Sequence, residues 1–387
     1  MKFYKIKELI IINPKSNIKV RDSKDSGKYL FFTSGEKTKF YNSFLCKGKN
    51  IFIATGGKAN FSYYEGKAAY STDCYSITTK NFVETKFLYY FLKLKQSEID
   101  NTMFQGAALK HLQKKHFNDL EIKIPSLSVQ RDIVARLDAA FVEIDKDIEM
   151  QTKNNDKTIS LFNSYISKAF RKGHEGWQTK LLKDLCENYK KDIVDGPFGS
   201  NLKTKHFINE GIPVLKIQNI KEFYINKKKM SYISYKKFND LKRHSFKSGD
   251  IIMTKLGQPL GVSAIVEDLK EGVIVADLVR IRANKINTEF LCYQLNSPLI
   301  KSYINSMQKG TTRPRIRLSI VRELLIYLPN YNEQERIIKK IKNLRLEINK
   351  LRKIYSEKNY NLNCLKNSLI KDLLNINKWQ HSERSRY

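Results

Sequence analysis

The chain has 387 residues, of which 41% are hydrophobic and 11% aromatic, and this composition excludes a disordered protein and allows two or three domains. Its 71 Lys and Arg residues against 39 Asp and Glu give a net charge of +32, which is typical of a protein that binds a polyanion. The five cysteines form no CxxC pair, and no apolar run reaches the roughly 18 residues of a membrane span, so we expect a cytoplasmic protein without disulfides, metal or membrane contact.

The positive charge is concentrated in two blocks. Residues 1–124 carry a net +11 and residues 176–328 a net +13, whereas 125–175 are neutral and 329–387 carry +8. The abundance of Lys, Asn and Ile is typical of an A+T-rich genome, so codon drift accounts for part of the basicity. Drift alone does not predict the block pattern, which indicates two basic domains.

The first block, residues 1–124, is predicted to form an α/β domain. A buried strand over residues 51–57 ends in a glycine turn, and Lys58 follows it. Lys110 and Lys114 belong to a basic stretch further along the chain. Lysines beside such turns are candidates for phosphate contacts.

Residues 125–175 are predicted to form the first long helix, from about Ser128 to Phe170. Apolar residues recur at helical spacing near both ends, and the stretch between Lys146 and Lys157 is polar. The residues assigned to its buried core are Ile133, Leu137, Ile144 and Ile166.

The second block, residues 176–328, is predicted to form the second α/β domain. Near its start, residues 195–203 have the sequence DGPFGSNLK, which is typical of a tight turn. Residues 211–220 alternate as in a strand, with Lys216 and Gln218 on the open face. Lysine binds phosphates and glutamine pairs with adenine, although a solvated strand face is the alternative interpretation.

A second buried strand, residues 249–257, also ends in a glycine turn, and just before the second helix three arginines occupy five positions. Arginine forks bind phosphates or guanine. The complete set of DNA-binding candidates in both blocks is Lys58, Lys110, Lys114, Lys203, Lys205, Lys216, Gln218, Lys255, Gln258, Arg313, Arg315 and Arg317.

Residues 329–378 are predicted to form the second long helix, with Asn332 and Glu335 at capping-box spacing. Its apolar residues follow alternating spacings of four and three, which is typical of a coiled coil. This series consists of Ile337, Ile341, Leu344, Ile348, Leu351, Tyr355, Leu362, Leu365 and Leu369. The residues assigned to the coiled-coil core are Ile341, Leu344, Ile348, Tyr355, Leu362 and Leu369.

The two halves of the chain are copies of one plan. Gly106 precedes Pro125 by the same 19 residues that separate Gly310 from Pro329, and a glutamine, Gln130 or Gln334, follows each proline after five residues. Each copy is a globular domain followed by a helix. To bury its apolar seam, the second helix must run back along the first.

The sequence therefore predicts an α+β fold in which two α/β domains are separated by two long antiparallel helices that form a coiled coil, with pseudo-twofold symmetry. Trp177-Gln178 opens the second domain, and Trp379-Gln380 begins the tail, residues 379–387, where a third copy would start. This circular organisation places the C-terminus near the first domain.

No catalytic constellation is predicted. The chain has no GxxxxGK[ST] phosphate loop and no paired-proline loop for base methylation. Residues 65–67 and 121–123 match the ExK half of a nuclease motif, but no Pro-Asp dipeptide precedes them and such triplets arise by chance in a Lys-rich chain. The alternatives left open are a self-contained nuclease or methyltransferase with an unrecognised active site, and a structural adaptor whose basicity is codon drift.

Taken together, these features resemble the specificity (S) subunit of type I restriction-modification systems, and the resemblance covers essentially the whole chain. Its most specific parts are residues 195–202 with 211–214, and the Pro…Gln…Ile openings of both helices. Val129 departs from the pattern, since the family often has Glu before the Gln.

The resemblance implies a non-catalytic subunit whose two target-recognition domains read the halves of a bipartite, asymmetric site in double-stranded DNA. It also implies two methyltransferase (M) subunits docked on the helices and domains, and restriction (R) subunits that join the full complex. S-adenosylmethionine, ATP and Mg would then belong to these partners, and this chain would hold no cofactor.

Overall fold

The computed structural model describes residues 2–171, 175–310 and 313–375. By its contacts the chain divides into two compact units. One unit is built from two separate stretches of the chain, and the other is built from the stretch between them. Unit 1 contains residues 1–152 and 356–387, and unit 2 contains residues 153–355. The tail with Trp379, and with it the predicted position of the C-terminus, lies outside the described residues.

Both halves of the described chain contain helices and short strands, and each half ends in a helix of 43 residues. The helices are α1 Ile6–Leu9, α2 Thr85–Leu94, α3 Gln96–Met103, α4 Lys114–Asn118, α5 Leu127–Ala169, α6 Tyr189–Asp192, α7 Tyr235–Asp240, α8 Thr288–Leu295, α9 Pro298–Ser306, α10 Leu318–Arg322 and α11 Tyr331–Leu373. The strands of the first half are β1 Lys2–Lys5, β2 Ile10–Ile12, β3 Tyr29–Phe32, β4 Lys39–Tyr41, β5 Lys49–Ala54, β6 Phe61–Glu65, β7 Ala68–Tyr70, β8 Cys74–Thr79, β9 Phe104–Gln105, β10 His111–Leu112 and β11 Glu121–Ile124. Those of the second half are β12 Gln178–Leu181, β13 Ile193–Asp195, β14 Phe207–Ile208, β15 Ile212–Leu215, β16 Ile220–Lys221, β17 Tyr224–Ile225, β18 Ser231–Ile233, β19 Ser245–Lys247, β20 Ile251–Thr254, β21 Ser263–Ile265, β22 Glu271–Ile274, β23 Leu278–Ile281 and β24 Leu325–Leu328.

Unit 1 is built on an antiparallel sheet of strand order β2-β8-β5-β6. Its central strand β5 is buried from Asn50 to Ala54, because both faces of the sheet are covered. A second sheet, β4-β3-β7, contains the parallel pair β3 and β7. The first strand of the domain, β1, pairs with the last, β11, just before the long helix α5 begins.

Unit 2 repeats this topology. Its antiparallel sheet has the order β13-β23-β20-β21, its second sheet contains the parallel pair β15 and β22, and β12 pairs with β24 just before α11. The predicted internal repeat is therefore present in the strand connections, and the prediction of two α/β domains with two long helices is confirmed.

One predicted strand is shorter than expected. The strand predicted over 211–220 ends at Leu215 and continues as a 3-10 turn over Ile217–Asn219. The cause is the buried side chain of Asn219, whose Oδ1 accepts a hydrogen bond from the Lys216 amide at 3.0 Å. Asparagine that bonds to its own local backbone in this way favours a turn over a strand.

A buried glutamine joins each long helix to its domain. The Oε1 of Gln130 accepts from the Glu84 amide at 2.8 Å, and its Nε2 donates to the carbonyls of Phe82 and Pro125 at 3.1 and 2.9 Å. Gln334 repeats the arrangement in unit 2: its Oε1 accepts from the Asn287 amide and its Nε2 donates to the Pro329 carbonyl, both at 2.9 Å. These side chains are fully or nearly fully buried. The glutamine shared by the two halves of the sequence therefore fixes where each helix starts.

The long helices pack antiparallel inside each unit. In unit 1, Ile133 and Leu137 near the start of α5 share a core with Ile370 near the end of α11 and with Leu374. In unit 2 the end of α5 lies against the start of α11, through residues 166–170 and 338–341. The apolar seam predicted from the sequence thus has a partner in both units.

The residues assigned to the helix core are buried to different degrees. The buried ones are Ile133, Leu137, Ile144, Ile166, Ile341 and Ile348, and the half-buried ones are Leu344, Tyr355, Leu362 and Leu369. Two further members of the four-three series are corrected, since Leu351 is 41% and Leu365 46% exposed. The cap predicted at Asn332 is also wrong, because Tyr331 is already helical and Asn330 Oδ1 accepts from the Glu333 amide at 2.9 Å.

An ion pair links each domain to its long helix, with the charges reversed between the units. In unit 1, Lys86 on α2 contacts Asp138 on α5 at 2.8 Å. In unit 2, Glu289 on α8 contacts Lys342 on α11 at 2.6 Å. The positions correspond in the repeat, so the same contact is made with opposite sign.

Candidate nucleic-acid interface

A basic surface segment of unit 2 is anchored by backbone hydrogen bonds to a glycine turn. We call residues 313–317 the arginine segment and residues 255–258 the second glycine turn. The Gly257 amide donates to the Pro314 carbonyl at 2.9 Å, and the Ile316 amide donates to the Lys255 carbonyl at 3.0 Å. Gly257 has φ +89°, a left-handed conformation that favours glycine.

The side chains of the arginine segment alternate between core and solvent. Pro314 and Ile316 are buried, whereas Arg313, Arg315 and Arg317 are exposed. Arg315 also exchanges two backbone hydrogen bonds of 2.9 Å with Lys309, which holds the segment extended. Because an extended chain rises about 3.3 Å per residue, successive arginines project about 6.6 Å apart from one face. Three guanidinium groups on a fixed backbone are suited to phosphates or guanine edges.

Unit 1 has the same backbone arrangement with other side chains. We call residues 55–58 the first glycine turn. The Gly57 amide donates to the Lys110 carbonyl at 2.9 Å, and the Leu112 amide donates to the Thr55 carbonyl at 3.0 Å. Gly57 has φ +84°, which is close to the +89° of Gly257 in unit 2.

The exposed groups of this first-unit site are two lysines and a histidine in place of three arginines. Lys58, Lys110 and His111 are exposed, and Leu112 is buried beneath them. Lys114 follows on α4, with its ammonium 4.5 Å from the centre of the Tyr75 ring. The two units therefore present different side chains from one scaffold.

Lys255 differs from the other candidates because its ammonium is paired with a carboxylate. Its side chain is only 12% exposed and contacts the Asp195 carboxylate at 2.6 Å. The same ammonium lies 4.7 Å from the centre of the Phe198 ring. Lys255 thus ties the turn at 195–199 to the second glycine turn, while Gln258 at the tip of that turn is exposed.

Two more pairs of candidates lie on neighbouring turns of unit 2. Lys203 and Lys205 are exposed on a 3-10 turn, where desolvation and nearby lysines lower the pKa of His206 below its ordinary value. Lys216 is half-buried with its ammonium 4.0 Å from the centre of the Phe207 ring, and Gln218 is exposed.

Sequence reasoning missed two members of this surface. Asp195 and Phe198 were recognised as part of a turn but not as side chains in contact with Lys255, since 60 residues separate them. The available signal was that the turn at 195–199 and the second glycine turn each follow a strand of one sheet, β13 and β20, and so can end on the same edge.

Other kinds of site are not found in the described part of the chain. No group of three or more His, Cys, Asp or Glu side chains there could hold a metal ion. No helix among the described residues has both the length and the apolar character to cross a membrane.

Comparison with known proteins gives one consistent family. Residues 1–155 and 174–357 match the model described as type I restriction modification DNA specificity domain. The type I restriction enzyme MjaVIII specificity subunit of Methanocaldococcus jannaschii is 26% identical over 311 residues, which cover 76% of this chain and 71% of that protein. The EcoDI specificity subunit of Escherichia coli is 21% identical over 341 residues, covering 83% and 76%.

A solved structure has the same fold over nearly the whole length. It comes from work on complex assembly and conformational transition of the type I R-M system, and it matches with a TM-score of 0.71 at 14% identity. The match covers 96% of this chain and 97% of the other.

Proposed function

Because the chain belongs to the type I restriction modification DNA specificity domain family, we propose that it directs a type I complex to a bipartite, asymmetric DNA site, of which each domain reads one half. The relatives reported above are specificity subunits by name, and the chain is accordingly a recognition component rather than an enzyme. The proposed target-recognition domains are residues 1–124 and 176–328. The proposed connecting helices are 125–175 and 329–378, followed by the tail 379–387.

One observation carries this proposal. Both units hold a basic segment against a glycine turn through the same two backbone hydrogen bonds, yet the exposed side chains differ. In unit 2 three arginines project from the segment, whereas unit 1 presents lysine and histidine. Two readers of unlike half-sites need a shared scaffold and different surface groups, since bases are distinguished by the side chains that meet their edges.

The helices are proposed to carry the catalytic partners. Apolar side chains are exposed along both of them, and a helix face of this kind is suited to another protein. They are Val142, Met150, Leu161, Leu346, Ile354 and Tyr360, with exposures between 46% and 70%. We propose two methyltransferase subunits on these faces and restriction subunits joining them. S-adenosylmethionine, ATP and Mg would be bound by those subunits, in the cytoplasm.

The experiment that tests DNA recognition is a salt titration of duplex binding by the full chain. Affinity should fall steeply with salt on a log-log plot, because each neutralised phosphate releases counterions. Replacing Arg313, Arg315 and Arg317 together by Ala should weaken binding and reduce the slope by about 3, since each lost phosphate contact removes about one. Arg131→Ala, an exposed arginine on α5, is the matched control.

Sequence specificity is tested in cells. Methylated motifs mapped genome-wide should include a bipartite motif that disappears when this chain is removed. An unchanged set of motifs, or binding by the full chain that does not respond to salt, would contradict the proposal. DNA cleavage or methylation by the purified chain alone would favour the self-contained enzyme instead.

A further inference from the structure

We infer that Phe198 stacks on or between bases of bound duplex DNA and contributes to the affinity of unit 2. The inference rests on the proposed DNA-binding function and adds to it a second kind of contact. The arginines supply charge, whereas this ring supplies an apolar face on which a base can stack.

The Phe198 ring is exposed although it is large and apolar. Its exposed fraction is 60%, and it stands at the tip of the turn formed by residues 195–199. Gly196 and Pro197, immediately before it, are buried. The ring therefore points outward from a turn whose preceding two residues belong to the core.

The turn beneath the ring is held in place by several contacts. A Cβ atom on Gly196 would lie 2.2 Å from the Val275 carbonyl carbon, so the backbone is packed too closely there for any side chain. The Asp195 carboxylate accepts from Lys255 Nζ at 2.6 Å, and the Asp195 carbonyl accepts from His244 Nδ1 at 2.6 Å. Because the backbone that carries Phe198 is already fixed, binding has to order only the side chain of this residue.

The surroundings of the ring are cationic. Lys255 Nζ lies 4.7 Å from the ring centre, and the carbonyl of the same residue accepts the amide of Ile316 in the arginine segment. Exposed Lys203 lies five residues beyond the ring. Lys255 is paired with Asp195, but Lys203 and the arginine segment are exposed. An apolar partner protein would have to desolvate these exposed cations, whereas a nucleic acid offers phosphates for them and a base for the ring. The combination of aromatic and cationic groups therefore favours DNA.

Unit 1 presents a different group at the corresponding place. There β2 is followed by Asn13, Pro14 and the exposed Lys15, whereas β13 ends at Asp195 and is followed by Gly196, Pro197 and the exposed Phe198. At this position, therefore, unit 2 has an aromatic ring and unit 1 has a lysine. An inserted apolar side chain opens a base step, so the ring adds a stacking contact to the charge contacts of the arginines.

The test uses the full chain and the Phe198→Trp variant, whose added indole reports stacking through its fluorescence. A duplex of mixed sequence at low salt should quench this fluorescence, whereas polyphosphate, which has charge but no bases, should not. Tyr224→Trp is the matched control, because Tyr224 is similarly exposed at 54% on the hairpin beside the long helices. The control indole should respond to neither polyanion.

Affinity measurements separate this inference from the proposed function. Phe198→Ala and Phe198→Leu should each weaken duplex binding about tenfold with an unchanged salt slope, because no charge is lost. Both variants should keep the unfolding midpoint of the unsubstituted chain, since the ring is mostly exposed. Equal duplex affinity of the variants, or no quenching of the indole while the unsubstituted chain binds, would overturn the inference and leave the proposed function standing.

Two further outcomes are decisive. If the unsubstituted chain does not bind duplex DNA at low salt, the proposed function fails and this inference fails with it. If Phe198→Ala binds DNA normally but no longer co-purifies with a methyltransferase subunit, the ring is a protein-docking residue and the inference is wrong.

Discussion

The buried glutamine at the start of each long helix gives a quantitative prediction. Replacing Gln130 by Ala removes one acceptor and two donor contacts and leaves three backbone groups of the Glu84, Phe82 and Pro125 peptides without a partner. An unsatisfied buried polar group costs about 1–3 kcal/mol, and water entering the vacated space recovers part of this. We expect the free energy of unfolding of unit 1 to fall by about 3 kcal/mol.

The second unit supplies an internal comparison. Gln334 makes two such bonds, to the Asn287 amide and the Pro329 carbonyl, so Gln334→Ala should cost less, about 2 kcal/mol. Gln130→Met keeps the volume of the side chain without its polar atoms. It should therefore remain destabilised if hydrogen bonds, and not packing, are responsible.

Hydrogen exchange read peptide by peptide measures the two units separately. Gln130→Ala should accelerate exchange in β1 and β11, and Gln334→Ala in β12 and β24. The reason is that β11 and β24 immediately precede the two glutamine contacts and are paired with β1 and β12. Arg131→Ala and Glu335→Ala, exposed neighbours on the same helical turns, are the controls. A loss below about 0.5 kcal/mol for Gln130→Ala, or full recovery in Gln130→Met, would refute the reasoning.

Three further predictions concern the helices and the thiols. Lys342→Glu should lower the stability of unit 2 by about 0.5–1 kcal/mol, because it places two carboxylates together, and adding Glu289→Lys should restore the stability. Urea unfolding measures this, and a double variant that is no more stable than the single one would contradict the prediction. Leu137→Ala, at a fully buried position, should cost about 3 kcal/mol, whereas Leu365→Ala should cost less than about 0.5 kcal/mol, and equal midpoints would show that the burial is wrong. Cys364 is exposed and should react rapidly with a maleimide at neutral pH. Burial raises the pKa of the other four thiols and should slow their reaction. Mass spectrometry counts the labelled thiols, and more than one rapidly labelled thiol per chain would contradict the prediction.

The repeat and the long helices could be predicted because they are written in local spacing. Apolar residues at helical intervals and the recurrence of Gln130 at Gln334 need no knowledge of distant contacts. The arginine segment could likewise be selected, since its composition stands out within five residues. Its alternation of buried and exposed positions followed only once the chain was seen to be extended there.

The parts that could not be predicted depend on contacts between distant residues or on competing local bonds. The burial of Lys255 against Asp195 joins positions 60 residues apart, which no spacing rule connects. The strand predicted through Asn219 fails because that side chain bonds to nearby backbone, and backbone competition of this kind is invisible to apolar periodicity. Leu351 and Leu365 fit the four-three pattern, but each lies on a stretch where the described neighbours do not cover it.

The alternating arginine segment has a consequence for how this molecule can change. Its attachment to the glycine turn uses main-chain atoms and the inward-facing Pro314 and Ile316, so the outward positions contribute almost nothing to folding. Substitutions at 313, 315 and 317 can therefore accumulate without unfolding the domain. Single replacements at these positions can therefore change the groups that the domain presents to solvent, while its fold is preserved whichever replacement occurs.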